Sequence, residues 1–278
     1  MSSDPHALAA FLAPYRRWFV LTGAGCSTES GIPDYRDDNG AWKRAQPVTF
    51  QAFTEDETVR RRYWARSLVG WRTMGQARPG PSHYALARLE AVDRVRFLLT
   101  QNVDGLHQAA GSRNVIDLHG RIDTVRCLAC ETRIPRADLQ AELLRRNPVW
   151  GTLEAGVAPD GDADLEHHDF AGFDVPGCPS CGTGMLKPDV VFFGESVPKE
   201  RVAAAREALA EADAVLVAGS SLMIYSGFRF VQAAVAQGIP IVAVNRGRTR
   251  ADDLMAMKVQ EGCGVALTAL ADQLTAVL

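Results

Sequence analysis

The sequence predicts an α/β fold: a doubly wound parallel sheet carrying a small inserted module. Three observations lead there. Short apolar, β-branched runs recur at residues 18–22, 95–100, 114–118, 190–193, 214–218 and 239–244, and each reads as a buried strand. Helical stretches lie between them, notably 82–90, 198–212 and 227–237; such alternation favours parallel pairing with ligands at the strands' carboxyl ends. Two Cys-x-x-Cys pairs interrupt the alternation and mark the inserted module.

At 278 residues with 47% hydrophobic content, the chain can bury one sizeable core plus a small appendage. A net charge of -3 and a pI near 6.1 argue against a nucleic-acid partner. The apolar stretch 7–13 follows Asp4 rather than a basic cluster and is too short to cross a bilayer. The expectation is a cytoplasmic protein with no targeting segment and no membrane partner.

The segment Gly23-Ala-Gly-Cys-Ser-Thr-Glu-Ser-Gly-Ile-Pro-Asp-Tyr-Arg36 places glycines, hydroxyls and charges where the first strand meets a loop. Glycines let the backbone approach a pyrophosphate, and a helix N-terminus beyond them would add N–H donors. The spacing departs from G-x-G-x-x-G, since position 28 is Thr and the next glycine is Gly31. On its own the segment is equally a structural turn. Segments beginning at 100, 219 and 245 also follow predicted strands, the arrangement of a nucleotide crevice.

Cys127, Cys130, Cys178 and Cys181 suit one structural zinc, four thiolates leaving no open position for chemistry. Two disulfides or a redox dithiol are the alternatives; a reducing compartment and the presence of two pairs weigh against them. His167 and His168 are expected to be exposed rather than ligands. Residues 148–177 carry carboxylates, Asp160, Asp162 and Asp164 among them, and no Lys or Arg. An EF-hand's glycine and terminal Glu are missing, so a solvated loop is expected. The expected division is a discontinuous Rossmann-like domain over 1–120 and 186–278, with a zinc module over 121–185.

His119 follows a predicted strand, where a neutral imidazole could act as a general base; a lone His before Gly is also a common turn residue. His107 is expected to be structural. Asn102 and Asp104 supply a carboxamide and a carboxylate beside the same loop, and Asp104 is equally a helix cap.

Taken with Thr100-Gln-Asn-Val-Asp-Gly-Leu-His107, Leu118-His-Gly120 and Lys187-Pro-Asp-Val-Val-Phe-Phe-Gly-Glu195, the glycine segment and the cysteine pairs resemble a sirtuin from about residue 18 to the C-terminus. The resemblance implies consumption of NAD: an acyl-lysine carbonyl attacks the ribose as nicotinamide leaves, giving an alkylimidate that resolves to free lysine and O-acyl-ADP-ribose. It implies acyl-lysine proteins or peptides as partners and His119 as the base. Asn102 and Gln101 are assigned to the ribose and Asp104 to the nicotinamide carboxamide. Further NAD contacts implied are Gly23, Ala24, Gly25, Ser27, Pro33, Asp34, Tyr35, Arg36, Gly219, Ser220, Ser221, Asn245 and Cys263. The peptide is expected as an added strand between Val190, Val191, Phe192, Phe193 and Gly194 on one side and Ser221, Leu222 and Tyr225 on the other. Tyr35 stands where many members carry Phe, and Cys26 where many carry an aliphatic residue; Cys26 is expected to be a small buried hydrophobe.

Finer detail, in Arg62-Tyr-Trp-Ala-Arg66, Ala158-Pro-Asp-Gly-Asp162, Gly219-Ser-Ser-Leu222, Tyr225-Ser-Gly227 and Thr249-Arg-Ala-Asp-Asp-Leu254, resembles the class II branch, that of the lipoamidase sirtuin. Tyr63 and Arg66 share a helix face and could grip an acyl carboxylate, although the surrounding helix is basic and fits a solvated face as well. An NAD-dependent ADP-ribosyltransferase and a noncatalytic zinc-ribbon module are the rival readings.

Overall fold

The computed structural model describes residues 5–43, 47–154, 162–165 and 168–275. The first half holds helix α1 (Pro5–Leu12), strand β1 (Trp18–Thr22), helices α2 (Phe50–Glu55), α3 (Glu57–Met74) and α4 (Pro81–Ala91), strand β2 (Val95–Thr100) and helix α5 (Leu106–Ala109). Strands β3 (Val115–Asp117), β4 (Gly120–Cys127) and β5 (Arg133–Pro135), helix α6 (Arg136–Arg146) and strand β6 (Leu186–Val190) follow. Helix α7 (Lys199–Ala210), strand β7 (Ala214–Ala218), helix α8 (Tyr225–Ala236), strands β8 (Ile241–Val244) and β9 (Met257–Val259) and helix α9 (Cys263–Thr275) complete it.

The main sheet is wholly parallel in the order β3-β2-β1-β7-β8-β9. Because successive side chains of a strand face opposite sides, Trp18 and Val20 enter a core built with α1, α4 and α9, while Phe19 and Leu21 enter one built with α7 and α8. Covering both faces requires a continuous apolar run, and every residue of β1 and β7 is buried. From β1 the chain passes to β2 on one side, and β7 lies on the other, so the loops after β1 and β7 diverge at the switch point.

The run 190–193 does not form a strand of this sheet. Val190 ends β6, which pairs antiparallel with β4 in a second sheet, β5-β4-β6, and residues 191–194 leave it as a loop. Their apolar side chains are taken up by a cavity wall and an aromatic cluster, so hydrophobicity here reports burial without strand pairing. Run 239–244 contributes only its last four residues, as β8; β9 and α9 lacked a strong enough pattern to be foreseen.

The smaller lobe gathers more than the inserted segment. Phe53, Tyr63, Trp64 and Leu68 of α2 and α3 share one core with Val125, Leu139, Leu143 and Leu186. Trp64 Nε1 donates to Leu186 O at 3.3 Å. The buried Arg136 guanidinium lies 4.8 Å from the Trp71 ring and donates to Gln140 Oε1 at 2.7 Å. Burial pushes it down to about 10, opposed by Tyr63 and Asp162. Asp162 is buried, against the expectation of a solvated acidic loop: it faces this internal cation. His168 is exposed, 6.0 Å from the Trp150 ring; Asp160, His167 and residues 158–161 of the acidic motif lie outside the described residues. Among the described residues, no helix is long and apolar enough to cross a membrane.

Candidate active site and metal centre

The loops at the carboxyl ends of β1, β2, β7 and β8 open onto one cavity of about 1240 Å³, which is shared with the chain that follows β6. It is lined by Gly23, Ala24, Gly25, Ser27, Pro33, Asp34, Tyr35 and Arg36, by Gln101, Asn102 and Asp104, and by Gly219, Ser220, Ser221, Asn245 and Cys263. The glycines have a steric reason. A Cβ on Gly25 would come within 2.8 Å of Gly219 Cα, and one on Gly219, whose φ is +62°, within 2.4 Å of Cys26 N. Bare backbone thus forms a cradle that a dinucleotide's pyrophosphate can approach. Gly219→Ala combines left-handed strain with a backbone clash. It is expected to cost roughly 2–5 kcal/mol in urea denaturation and to abolish NAD binding by calorimetry.

Side chains around the cradle are fixed by one another. Asn102 Nδ2 donates to Gly23 O at 3.0 Å and to Ser27 Oγ at 2.9 Å. Ser27 Oγ donates to Asp104 Oδ2 at 2.7 Å, while Asp104 Oδ1 accepts the Leu106 N–H at 2.9 Å, so this carboxylate serves the start of α5 and the cavity together. Ser220 Oγ donates to Gln101 Oε1 at 2.6 Å. Arg36 stands 4.1 Å from the Trp42 ring and donates to Gly40 O at 2.6 Å. Cys26 is buried beneath the cradle; its neighbour Cys263 first, and then burial, push its thiol well above the ordinary range. His107 is buried against Thr22 Oγ1 at 3.0 Å and pushed down to about 3 by burial and by His83, a structural histidine.

His119, directly after Leu118, lies on the cavity wall. Its Nδ1 is 2.9 Å from Gln101 O, and since a carbonyl only accepts, Nδ1 carries the proton. In the neutral ring Nε2 is therefore an acceptor, and the Ser226 hydroxyl donates to it at 2.8 Å. Burial, helped by the charges of Arg201 and Arg229, pushes His119 down to about 4, opposed by the Gln101 bond. The ring is neutral at pH 7, with its Nε2 lone pair occupied by the Ser226 hydroxyl at the cavity wall. Ser226 entered the sequence reading only within the motif Tyr225-Ser-Gly227, with no role, because 107 positions separate it from His119 and only the fold joins them.

The opposite wall is the segment after β6. Val191 N–H donates to His119 O at 2.8 Å, and Phe50 N–H to Phe193 O at 2.8 Å. Lys187, buried, pairs with Glu195 at 3.0 Å and lies 4.4 Å from the Phe192 ring, while Glu195 Oε2 accepts the Phe192 N–H. This ion pair holds the loop in place. Val190, Val191, Phe192, Phe193 and Gly194 line the cavity, as do Leu222 and Tyr225 across from them. Leu222 holds φ +57°, an uncommon left-handed conformation for a γ-branched residue. Phe192 packs against Tyr63 at 5.3 Å and Phe193 against Trp42 at 5.5 Å, so both rings border the cavity rather than one facing away.

Tyr63 and Arg66 separate. Tyr63 lines the cavity, whereas Arg66 is not among its lining residues; Arg66 Nε donates to Ala163 O at 2.8 Å and its carbonyl accepts the Ala163 N–H. Three residues along α3, a half-buried guanidinium has been drawn to the backbone of the acidic segment.

The four cysteines converge at the far end of β4. Sγ separations of 3.8 Å (Cys127–Cys181) and 3.7 Å (Cys130–Cys178) far exceed a disulfide bond, and all four sulfurs lie within 4.8 Å of one another. A tetrahedron of Zn–S bonds of about 2.3 Å has edges of about 3.8 Å. The Ala129 and Ser180 N–H groups point at Cys127 and Cys178 sulfurs at 3.4 Å, the donors that thiolates want. The site fits one structural zinc ion, with no ligand position left for substrate.

The Sir2 family model matches residues 23–226. The chain is 63% identical over 273 residues to NAD-dependent protein deacetylase 2 of Bradyrhizobium diazoefficiens, covering 97% of this chain and all of that one. It is 64% identical over 264 residues to NAD-dependent protein deacetylase of Xanthomonas campestris pv. campestris, covering 95% and 90%. A solved Sir2 complex with p53 peptide and NAD+ superposes with a TM-score of 0.75 at 29% identity, covering 100% of this chain and 98% of that one. By its motifs, its fold and these relatives, the chain belongs to the Sir2 family.

Proposed function

We propose that the protein is an NAD-dependent protein-lysine deacetylase, releasing nicotinamide and O-acyl-ADP-ribose. The observation that carries this reading is the neutral His119, its Nε2 lone pair turned to a cavity walled by the glycine cradle on one side and by residues 190–194 and 222–225 on the other. When bound, NAD supplies an electrophilic ribose carbon and a leaving group. In this reading Gly23, Gly25, Gly219, Ser27 and Asn245 seat it, with Ala24, Pro33, Asp34, Tyr35, Arg36, Ser220, Ser221 and Cys263 around them. Gln101 and Asn102 face the ribose, and Asp104 accepts from the nicotinamide amide. His119 takes a proton from a ribose hydroxyl. The peptide lies as a strand between the two loop walls, with main-chain bonds giving affinity without demanding much sequence.

A protein ADP-ribosyltransferase would use the same cavity. The two-sided wall for an extended peptide favours deacylation, and mass spectrometry decides: deacylation converts an acetyl-lysine peptide to free lysine in equal amounts with nicotinamide. A peptide that itself carries ADP-ribose would overturn the reading.

The class II placement and an acyl range beyond acetyl also stand as proposals, supported by Arg62-Tyr-Trp-Ala-Arg66 and Tyr225-Ser-Gly227. Tyr63 and Phe192 wall the acyl end in aromatic surface, and Arg66 Nε donates to Ala163 O. Arg66→Met is therefore expected to lower acetyl, glutaryl and lipoyl peptide turnover by similar factors, while Tyr63→Ala changes their ratios. A selective loss of roughly tenfold or more on the acidic acyl peptide in Arg66→Met would restore a carboxylate-gripping role.

A further inference from the structure

Within the deacylase reading, His119 must aim Nε2 at an incoming hydroxyl, and the fold gives the ring only two polar anchors in the described hydrogen bonds: Gln101 O at Nδ1 and Ser226 Oγ at Nε2. The torsion of an imidazole about its Cβ–Cγ bond is broad, so a single bond at Nδ1 leaves the ring able to tilt. A second bond from the other nitrogen fixes its plane. The tautomer is set at the first bond, because placing the proton on Nε2 would turn the Nδ1 lone pair against the Gln101 carbonyl, and the Ser226 hydroxyl then donates to Nε2.

Ser226 stands in the first turn of α8, next to Tyr225, the exposed edge of the peptide wall. One turn further along the same helix, Arg229 lines the cavity and acts on His119 by its charge. We propose that Ser226 is a positioning residue for the base: its hydroxyl holds the Nε2 lone pair aimed at the cavity until a ribose hydroxyl takes its place. The exchange swaps one O–H···N bond for another and costs little. Because the lone pair is needed only after nicotinamide has left, losing Ser226 should impair the later steps selectively.

Two measurements on Ser226→Ala test this. In ligand-free protein labelled with ¹⁵N-histidine and assigned with His119→Ala, the unprotonated Nε2 resonance of His119 should move downfield, as expected for a nitrogen that has lost its donor. With NAD and acetyl-lysine peptide, the ratio of labelled-nicotinamide exchange into NAD to net deacylation should rise about five- to tenfold, the worth of one hydrogen bond, and Ser226→Thr should restore it. An unchanged Nε2 resonance, or exchange and deacylation falling together, would overturn the proposal. A wild-type protein that neither exchanges nor deacylates would instead overturn the deacylase reading, with the resonance still deciding the Ser226 bond.

Discussion

Replacing His119 with Ala is expected to reduce NAD-dependent deacetylation by about 10²- to 10⁴-fold, the usual worth of a positioned general base, with melting temperature nearly unchanged. Half-buried at the cavity wall, the ring carries little of the core, so loss of activity and loss of fold are separable by steady-state kinetics beside calorimetry. Its pH behaviour follows from the burial that pushes it down to about 4. Activity requires the neutral ring, so the acid limb assigned to His119 should fall near pH 4, not near the 6.5 of a free imidazole. Stability moves in the same sense. Between about 6.5 and 4 the unfolded chain binds the proton that folded His119 refuses, so stability is full above 6.5 and declines as pH falls towards 4. Urea midpoints taken across that window should fall less steeply in His119→Ala than in wild type. Some slope should remain, since His107 is pushed down to about 3 and His83 is lowered as well. Identical slopes in the two proteins would show that His119 titrates normally.

Replacing Cys130 with Ser should have the largest effect on stability. Four thiolates at tetrahedral spacing hold β4 and the chain before β6 together, and in small modules metal binding energy is folding energy. The wild-type protein should contain one zinc per chain by elemental analysis; the variant should lose most of it and become several kcal/mol less stable, and prolonged chelation of the wild type should reproduce that loss. Because β4 runs from Cys127 back to Gly120, beside His119, and pairs with β6 ahead of the peptide wall, metal loss should also cost deacylation. A Cys130→Ser protein with full zinc content would rule out the four-cysteine site.

Much of this was legible because it is local chemistry. Runs such as 18–22 and 214–218 read as doubly covered parallel strands because they are short, almost wholly apolar and rich in residues that favour strands. The cysteine spacing announces a metal, and the glycines after β1 and β7 announce close backbone approach. Where the reading failed, the deciding partner was distant in sequence. Residues 190–193 look like a strand by composition, yet their neighbours are Tyr63, Trp42 and His119, which pull them into a cavity wall.

Residue type and short spacing in the sequence pointed to the parallel α/β sheet and the zinc ligands, and the resemblance to a known family singled out the cradle at the strand ends and the histidine that faces it. Tertiary structure alone decided that α3 belongs to the zinc lobe, that Asp162 lies buried near Arg136, that Arg66 turns from Tyr63 to Ala163, and that His119 carries its proton on Nδ1 with Ser226 at Nε2. Apolar packing places α3, and one physical reason is common to the other three. A side chain's charge, tautomer and direction are set by whichever donor, acceptor or opposite charge the fold brings within about 3–4 Å, and that identity is not written in the residues beside it.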